Sequence, residues 1–211
     1  TARHLFQLYG LPSLPMRLAA DPDQAAQLAV ELGFPVALKV ASPDIPHKSD
    51  VNGVLLNLED ELSVRQGYQT ILANARQACP QAVIQGVHVQ RMLPAGQDVI
   101  LGAVQDAQFG PLVMFGSGGI EVEGLKDVAF ALAPLTNADA DTLLQSTWAG
   151  EKLNGFRSLP PADRTAVREA LFRLGQLAAD FPRLAEIEIN PLRVLEPGQG
   201  AVALDIRIRA A

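Results

Sequence analysis

FPVALKVASPDIPHKSDVNGVLLNL, residues 34–58, is the stretch around which the rest of the chain is organised. Val36, Leu38 and Val40 alternate with Ala37, Lys39 and Ala41, so a strand here puts the larger apolar side chains on one face and Lys39 on the other. A lysine inside an apolar strand calls for an anion. Pro43 and Pro46 bias Ser42 and Ile45 to extended backbone, which makes Asp44-Ile45-Pro46-His47-Lys48-Ser49-Asp50 a shaped loop and not a helix. Gly53 then leads into a second strand, residues 53–58. One histidine and two lysines beside a sheet suit a phosphate-handling site, and they equally suit a solvated hairpin loop with a snorkelling lysine. The residues alone leave both open.

Before this hairpin, residues 5–9 form a short apolar segment ended by Gly10 and Pro12, with an extended piece after it. Asp21-Pro22-Asp23-Gln24 predicts a helix start with an Asp cap, Pro at the first helical position and Gln24 placed for a capping box. Ala25, Leu28, Ala29 and Leu32 form its buried stripe and Gly33 ends it. After the hairpin, Val64, Tyr68, Ile71, Leu72 and Ala75 keep helical spacing up to Pro80, and residues 83–91 read as a strand. This is a small α+β lobe, and Pro94-Ala95-Gly96 is the natural hinge out of it.

The second half opens with runs apolar on both faces, residues 99–104 and 111–115, as strands of a covered sheet should be. Gly116-Ser117-Gly118-Gly119 follows, a turn in which backbone N–H groups can approach an anion closely. Glu121, Glu123, Lys126 and Asp127 read as a solvated charge cluster. Residues 139–148 and 167–181 read as scaffold helices. In the closing hairpin Glu186, Glu188 and Asn190 share one face of a strand, and Asp205 and Arg207 share a face opposite Val202, Leu204, Ile206 and Ile208. A turn at Pro197-Gly198 sets Asn190 against Asp205 and Glu188 against Arg207. Such oxygen ligands suit Mg²⁺, and a cross-strand ion pair on a polar outer face is the alternative.

With 211 residues, 48% of them hydrophobic, the chain can bury the core of one large domain or of two lobes. Seventeen basic and 23 acidic side chains give a net charge of −6 without a basic run, which argues against a nucleic-acid partner. A single cysteine, Cys79, and no apolar stretch near the roughly 18 residues of a spanning helix point to a reducing, cytoplasmic setting with no membrane partner. The start at Thr1 shows no signal-peptide pattern and reads as that of a fragment or a processed chain.

VALKVASPDIPHKSDVNGV at 36–54 closely resembles the ATP-grasp domain of ADP-forming (NDP-forming) acyl-CoA synthetases, including the copy inside acyl-CoA synthetase-like protein lysine acetyltransferases. The resemblance runs from LYGLPSLP (8–15) through VQRMLPAGQDVILG (89–102), FGPLVMFGSGGIEVEGLKDV (109–128) and LNGFRS (153–158) to EIEINPL (186–192) and ALDIRI (203–208). Four positions depart from the family pattern: Asn52 for the usual glycine, Asp98 for glutamate, Ser117 inside the glycine loop, and Ser158 where GFRG is usual.

The resemblance implies an α+β ATP-grasp fold over residues 1–211, with two lobes clasping a nucleotide: a small inserted lobe, 14–93, and a large one, 1–13 with 94–211. It further implies ATP/ADP and Mg²⁺ as cofactors. By motif, Lys39 would bind the α- and β-phosphates, Gln90, Arg91, Met92 and Leu93 would border the adenine, and Asp98 would face the ribose. Gly116, Gly118 and Gly119 would cover phosphates, and Asn190 and Asp205, with Glu188 beside them, would hold the metal. His47 resembles a catalytic phosphate carrier, since a neutral imidazole is a competent nucleophile near neutral pH; His4 and His88 read as structural or surface residues. The CoA-binding and ligase portions lie outside this stretch, so a partner domain or subunit of the same synthetase is expected. The alternative is a catalytically reduced, regulatory nucleotide-binding domain of a protein lysine acetyltransferase.

Overall fold

The computed structural model describes residues 2–118 and 127–211. The chain divides into two compact units, Leu14–Leu93 and Thr1–Ser13 with Pro94–Ala211.

In the 14–93 unit four antiparallel strands run in the order β1 (Met16–Ala19), β4 (Gly86–Arg91), β2 (Val36–Ala41), β3 (Val54–Leu58). Helices α2 (Pro22–Leu32) and α3 (Glu61–Ala78) pack on one face over a core that includes Val36, Leu38, Val40, Val64, Ile71, Val87 and Val89. Asp21 caps α2 by accepting from the Gln24 N–H at 2.8 Å. The Gln24 side chain accepts from Ala20 N–H, one residue earlier than a closed capping box requires. Asp60 and Ser63 form the reciprocal box at the start of α3. The strand expected over residues 83–91 is shorter: pairing begins at Gly86, and the Val83 N–H instead meets the Asp44 carboxylate at 2.7 Å.

The other unit holds an antiparallel sheet in the order β10 (Ile206–Ala210), β8 (Leu184–Val194), β5 (Gln97–Asp106), β6 (Gly110–Ser117), β7 (Val128–Leu132), with β9 (Ala201–Ala203) also on β8. Val99, Leu101, Ala103, Val113, Phe115, Ile187 and Ile189 face a core completed by Leu171, Leu174 and Leu177 of the long helix Arg164–Asp180. Helix α1 (Ala2–Leu8) contributes Phe6.

The single helix expected over residues 139–148 is two: α4 (Asn137–Gln145) and α5 (Trp148–Lys152). Thr147 adopts extended backbone (φ −124, ψ 146) and its hydroxyl accepts from the Gly150 N–H, so a new cap interrupts a run whose apolar spacing would have allowed continuation. Among the described residues no helix is long and apolar enough to cross a membrane.

Candidate functional site

In the 14–93 unit Lys39 sits where the alternation puts it. Val36, Leu38 and Val40 lie in the core, while Ala37 and Ala41, 5% and 2% exposed, flank Lys39 on the opposite face. Lys39 stands opposite Val54 of β3 and His88 of β4, and Ala37 stands opposite Gln90. Directly opposed residues share a face, so Lys39, His88 and Gln90 form a polar cluster on the face away from α2 and α3. Gln90 is only 2% exposed, and its amide nitrogen has no hydrogen-bond acceptor among the described residues. His88, read from the sequence as a structural or surface residue, is a direct cross-strand neighbour of Lys39. Arg91 stands opposite Val36, and the Met92 N–H donates to Pro35 O at 2.9 Å, so the segment ending in Leu93 extends the β2 edge of this cluster.

The loop after β2 is built from backbone bonds. Lys48 O accepts from Gly53 N–H at 2.8 Å, Ser49 O from Asn52 N–H at 3.0 Å, and Gly53 O from Val40 N–H at 2.8 Å. Ile45 anchors the loop in the core, and His47, Ser49 and Asp50 are exposed. Asn52 has φ +49, a left-handed conformation that glycine adopts without strain and asparagine tolerates. The departure from the family glycine therefore keeps the turn.

In the second unit Asp98 is met by a residue the sequence did not single out. Arg193 is its register partner on β8 and grips the carboxylate at two points, Nε to Oδ1 at 2.5 Å and Nη2 to Oδ2 at 3.0 Å. Both are largely shielded, with side-chain exposures of 30% for Asp98 and 21% for Arg193. The hydrogen bonds that Arg193 donates to Asp98 raise the Arg193 pKa, against the opposing effect of burial. A ribose contact by Asp98 has to coexist with this ion pair.

Gly116 belongs to β6, and the N–H of Gly118 donates to Asp98 O at 3.3 Å. A Cβ on Gly116 would lie 2.1 Å from Asp127 O, and one on Gly118 would lie 2.5 Å from the Val99 backbone, so close packing alone explains both glycines. Gly119, Glu121, Glu123 and Lys126 lie outside the described residues.

Asp127, expected in a solvated cluster, is partly buried. It accepts from the Ser117 hydroxyl at 2.7 Å and from the first two amides of α5, Trp148 at 2.7 Å and Ala149 at 2.8 Å. Burial raises its pKa, but these hydrogen bonds and the charge of Lys152 outweigh that and hold the carboxyl below its ordinary value. Ser117 is therefore the tie between the glycine segment and α5.

The closing hairpin has the expected register, Glu188 opposite Arg207. Asn190 N–H donates to Asp205 O at 3.2 Å and Leu204 N–H to Pro191 O at 3.0 Å, which sets Asn190 against Asp205. Pro197-Gly198 forms the turn, closed by Gln199 N–H to Glu196 O at 2.9 Å. The expected face alternation fails at one point. Ala201 and Ala203 are buried in the core, and Val202 and Leu204 are not; beyond Asp205 the inward residues are Ile206 and Ile208. On β8 the inward set likewise changes from Ile187 and Ile189 to Leu192 and Val194. Each strand carries one extra residue here, and Asn190 and Asp205 sit in the two irregularities.

Among the described residues no three His, Cys, Asp or Glu side chains gather into a metal cage. One carboxylate and one amide oxygen on facing strands nevertheless fit Mg²⁺, a hard cation that completes its shell with phosphate oxygens and water. Glu188 is the weaker candidate, since its cross-strand neighbour is Arg207. Asp205 also acts electrostatically on Arg3 of α1, whose pKa burial lowers and Asp205 raises.

An ATP-grasp domain family matches residues 1–210. The chain belongs to the ATP-grasp family. It is 41% identical over 207 residues to the β subunit of ADP-forming acetate–CoA ligase I of Pyrococcus furiosus, covering 98% of this chain and 88% of that protein. It is 40% identical to the ADP-forming 4-hydroxybutyrate–CoA ligase of Nitrosopumilus maritimus, covering 98% of this chain but 30% of that longer protein. Among solved structures, the dinucleotide-forming acetyl-coenzyme A synthetase 1 of Ca. Korarchaeum cryptofilum with coenzyme A and Ca-AMPCP superposes with a TM-score of 0.94 at 40% identity, over 100% of this chain and 91% of that one. The same synthetase with Mg-AMPPCP, its phosphohistidine segment pointing towards the nucleotide-binding site, superposes with a TM-score of 0.84 at 37% identity, over 100% and 90% of the two chains.

Proposed function

We propose that this ATP-grasp chain is the nucleotide-handling part of an ADP-forming acyl-CoA synthetase. In this reading it moves a phosphoryl group between ATP/ADP and a phosphohistidine of a CoA-binding ligase partner, which is another subunit or a further stretch of the same polypeptide. The observation that carries this is the β2 unit itself: Lys39 on the polar strand face and exposed His47 on the loop that leaves the same strand. The relatives near 40% identity are ADP-forming CoA ligases, and they give the acetyltransferase alternative no support. A single cysteine, Cys79, agrees with a cytoplasmic setting.

In the proposed mechanism Lys39 offsets charge on the α- and β-phosphates, and the 90–93 segment borders the base. Asp98 approaches the ribose while bridged to Arg193. Gly116 and Gly118 give the phosphate-covering segment its fixed starting point, and Asn190 and Asp205 hold Mg²⁺, with Glu188 beside them. When bound, the cation neutralises charge that develops on the transferring group. His47 acts as carrier: an imidazole nitrogen attacks the γ-phosphorus, a P–N bond forms, and the bond from the γ-phosphorus to the bridging oxygen breaks as ADP departs. The reverse step returns the group to ADP.

Calorimetry with Mg·ATP tests the reading. The wild-type chain is expected to bind, and Lys39→Ala to bind at least about tenfold more weakly, a loss of about 1.4 kcal/mol. Equal affinity in the two proteins would remove Lys39 from the site.

A further inference from the structure

LNGFRS is the block of the family resemblance to which neither nucleotide nor metal assigns a task. It forms a tight hairpin in which Phe156 N–H donates to Leu159 O at 3.0 Å and Leu159 N–H donates to Phe156 O at 2.8 Å. Arg157 and Ser158 are the two residues at its tip. Arg157 has φ +53, the left-handed conformation that glycine suits best, whereas Ser158, at the family's glycine position, is not left-handed. A strained backbone is therefore kept at a position where the arginine side chain is exposed. Its guanidinium lies 5.1 Å from the Phe156 ring centroid and, among the described residues, has no carboxylate partner. Phe156 in turn meets Trp148 edge-on, with ring centroids 4.7 Å apart.

The hairpin is held from two sides. Gln97, 7% exposed, donates from one amide nitrogen to Lys152 O and to Pro160 O, both at 2.9 Å, which ties the two ends of the segment together. Gln97 directly precedes Asp98. On the other side, the amide of Trp148 is bound by Asp127, which also binds Ser117 between Gly116 and Gly118. A tip that displays one cation is thus tied, through Gln97 and through Trp148 and Asp127, to the starts of both candidate nucleotide segments in this unit. Packing alone would be served better by glycine at residue 157.

We propose that Arg157 contacts the phosphoryl group handled by this domain, as a charge-assisted donor to its oxygens, with the Phe156 ring orienting the guanidinium plane. This rests on the phosphoryl-transfer function proposed above. The phosphoryl group belongs either to bound nucleotide or to the histidine of the partner, and two arms of one experiment separate these sources. Mg·ATP affinity is measured by calorimetry, and transfer of label from γ-labelled ATP is followed with the ligase partner present, for wild type, Arg157→Gly and Arg157→Lys.

Arg157→Gly is expected to melt at or above the wild-type temperature, because the left-handed strain is relieved. It is expected to lose about tenfold or more in one arm, with Arg157→Lys recovering part of the loss. A loss in affinity assigns the contact to nucleotide; a loss in transfer alone assigns it to the group in transit. Wild-type affinity and wild-type transfer in Arg157→Gly overturn the inference and leave the proposed function standing, as does a lowered melting temperature that accounts for the loss. A wild-type chain that neither binds Mg·ATP nor transfers label removes the proposed function, and this inference with it.

Discussion

The loop after β2 and the segment that ends β6 both carry residues proposed for function, yet they are built by opposite means. The loop of residues 42–53 takes its shape from backbone hydrogen bonds, one buried anchor at Ile45 and a left-handed Asn52, and it leaves His47, Ser49 and Asp50 outward. The 116–118 segment is fixed by one carboxylate, Asp127, and by glycines packed against neighbouring backbone. Where the backbone sets the shape, side chains are left for chemistry. Where a side chain sets it, that residue belongs to the fold. Substitutions of the outward side chains His47, Ser49 and Asp50 should therefore change reaction and spare stability, and substitutions around the second segment should do the reverse.

The sharpest way to break this contrast is His47→Ala. Transfer of label in the presence of the ligase partner is expected to fall about a thousandfold or more, as when a covalent nucleophile is removed, with the melting temperature unchanged. A protein that keeps its transfer rate, or loses its fold, contradicts the contrast. Asp127→Ala should show the opposite pattern. It leaves the Ser117 hydroxyl and two helix amides without their acceptor, and denaturant unfolding should report a loss of about 2–3 kcal/mol.

The same carboxylate makes a prediction in pH. Its folded pKa lies below the ordinary value, so its contribution is complete above about pH 4 and is lost as pH falls through the lowered pKa. The stability gap between wild type and Asp127→Asn should accordingly narrow below about pH 4 and hold steady above about pH 5; a gap that widens on acidification would show the sign to be wrong.

Within the 42–53 loop the smaller effects concern residue 52. Asn52→Val should cost about 1–2 kcal/mol, the penalty of forcing a branched side chain into left-handed backbone, whereas Asn52→Gly should stay within a few tenths of wild type. Nucleotide affinity should be the same in both, since the loop side chains remain in place. Thermal melts and calorimetry on the two variants would refine the division between shape and chemistry.

The parts of the fold legible in the sequence were those governed by local period and punctuation. Alternation placed Lys39 between two alanines, Asp21-Pro22 and Gly33 bounded α2, and Pro197-Gly198 fixed the closing register across more than a dozen residues. The parts missed depend on partners distant in sequence. Arg193 is 95 residues from Asp98, and Asp127 is bound by amides 21 and 22 residues away, so no window of periodicity contains either pairing. The break at Thr147 escaped for a different reason: a threonine in a helical run signals a cap only once its backbone is seen to leave the helix.

The paired irregularity at Asn190-Pro191 and Leu204-Asp205 has a consequence for how this hairpin can change over generations. A β-strand is a lattice of period two, and an extra residue is a dislocation in it; here two dislocations face each other, so the strands slip phase together and their pairing survives. Deleting one residue at either point leaves an unmatched defect that turns every residue on one side of it to the wrong face of the sheet. Deleting one from each strand restores a perfect lattice, and the hairpin keeps its core while the two oxygen-bearing side chains vanish or turn away. The Asn190–Asp205 pair is thus written into the sheet as a topological defect, which point substitutions can blunt but only coordinated deletions can heal.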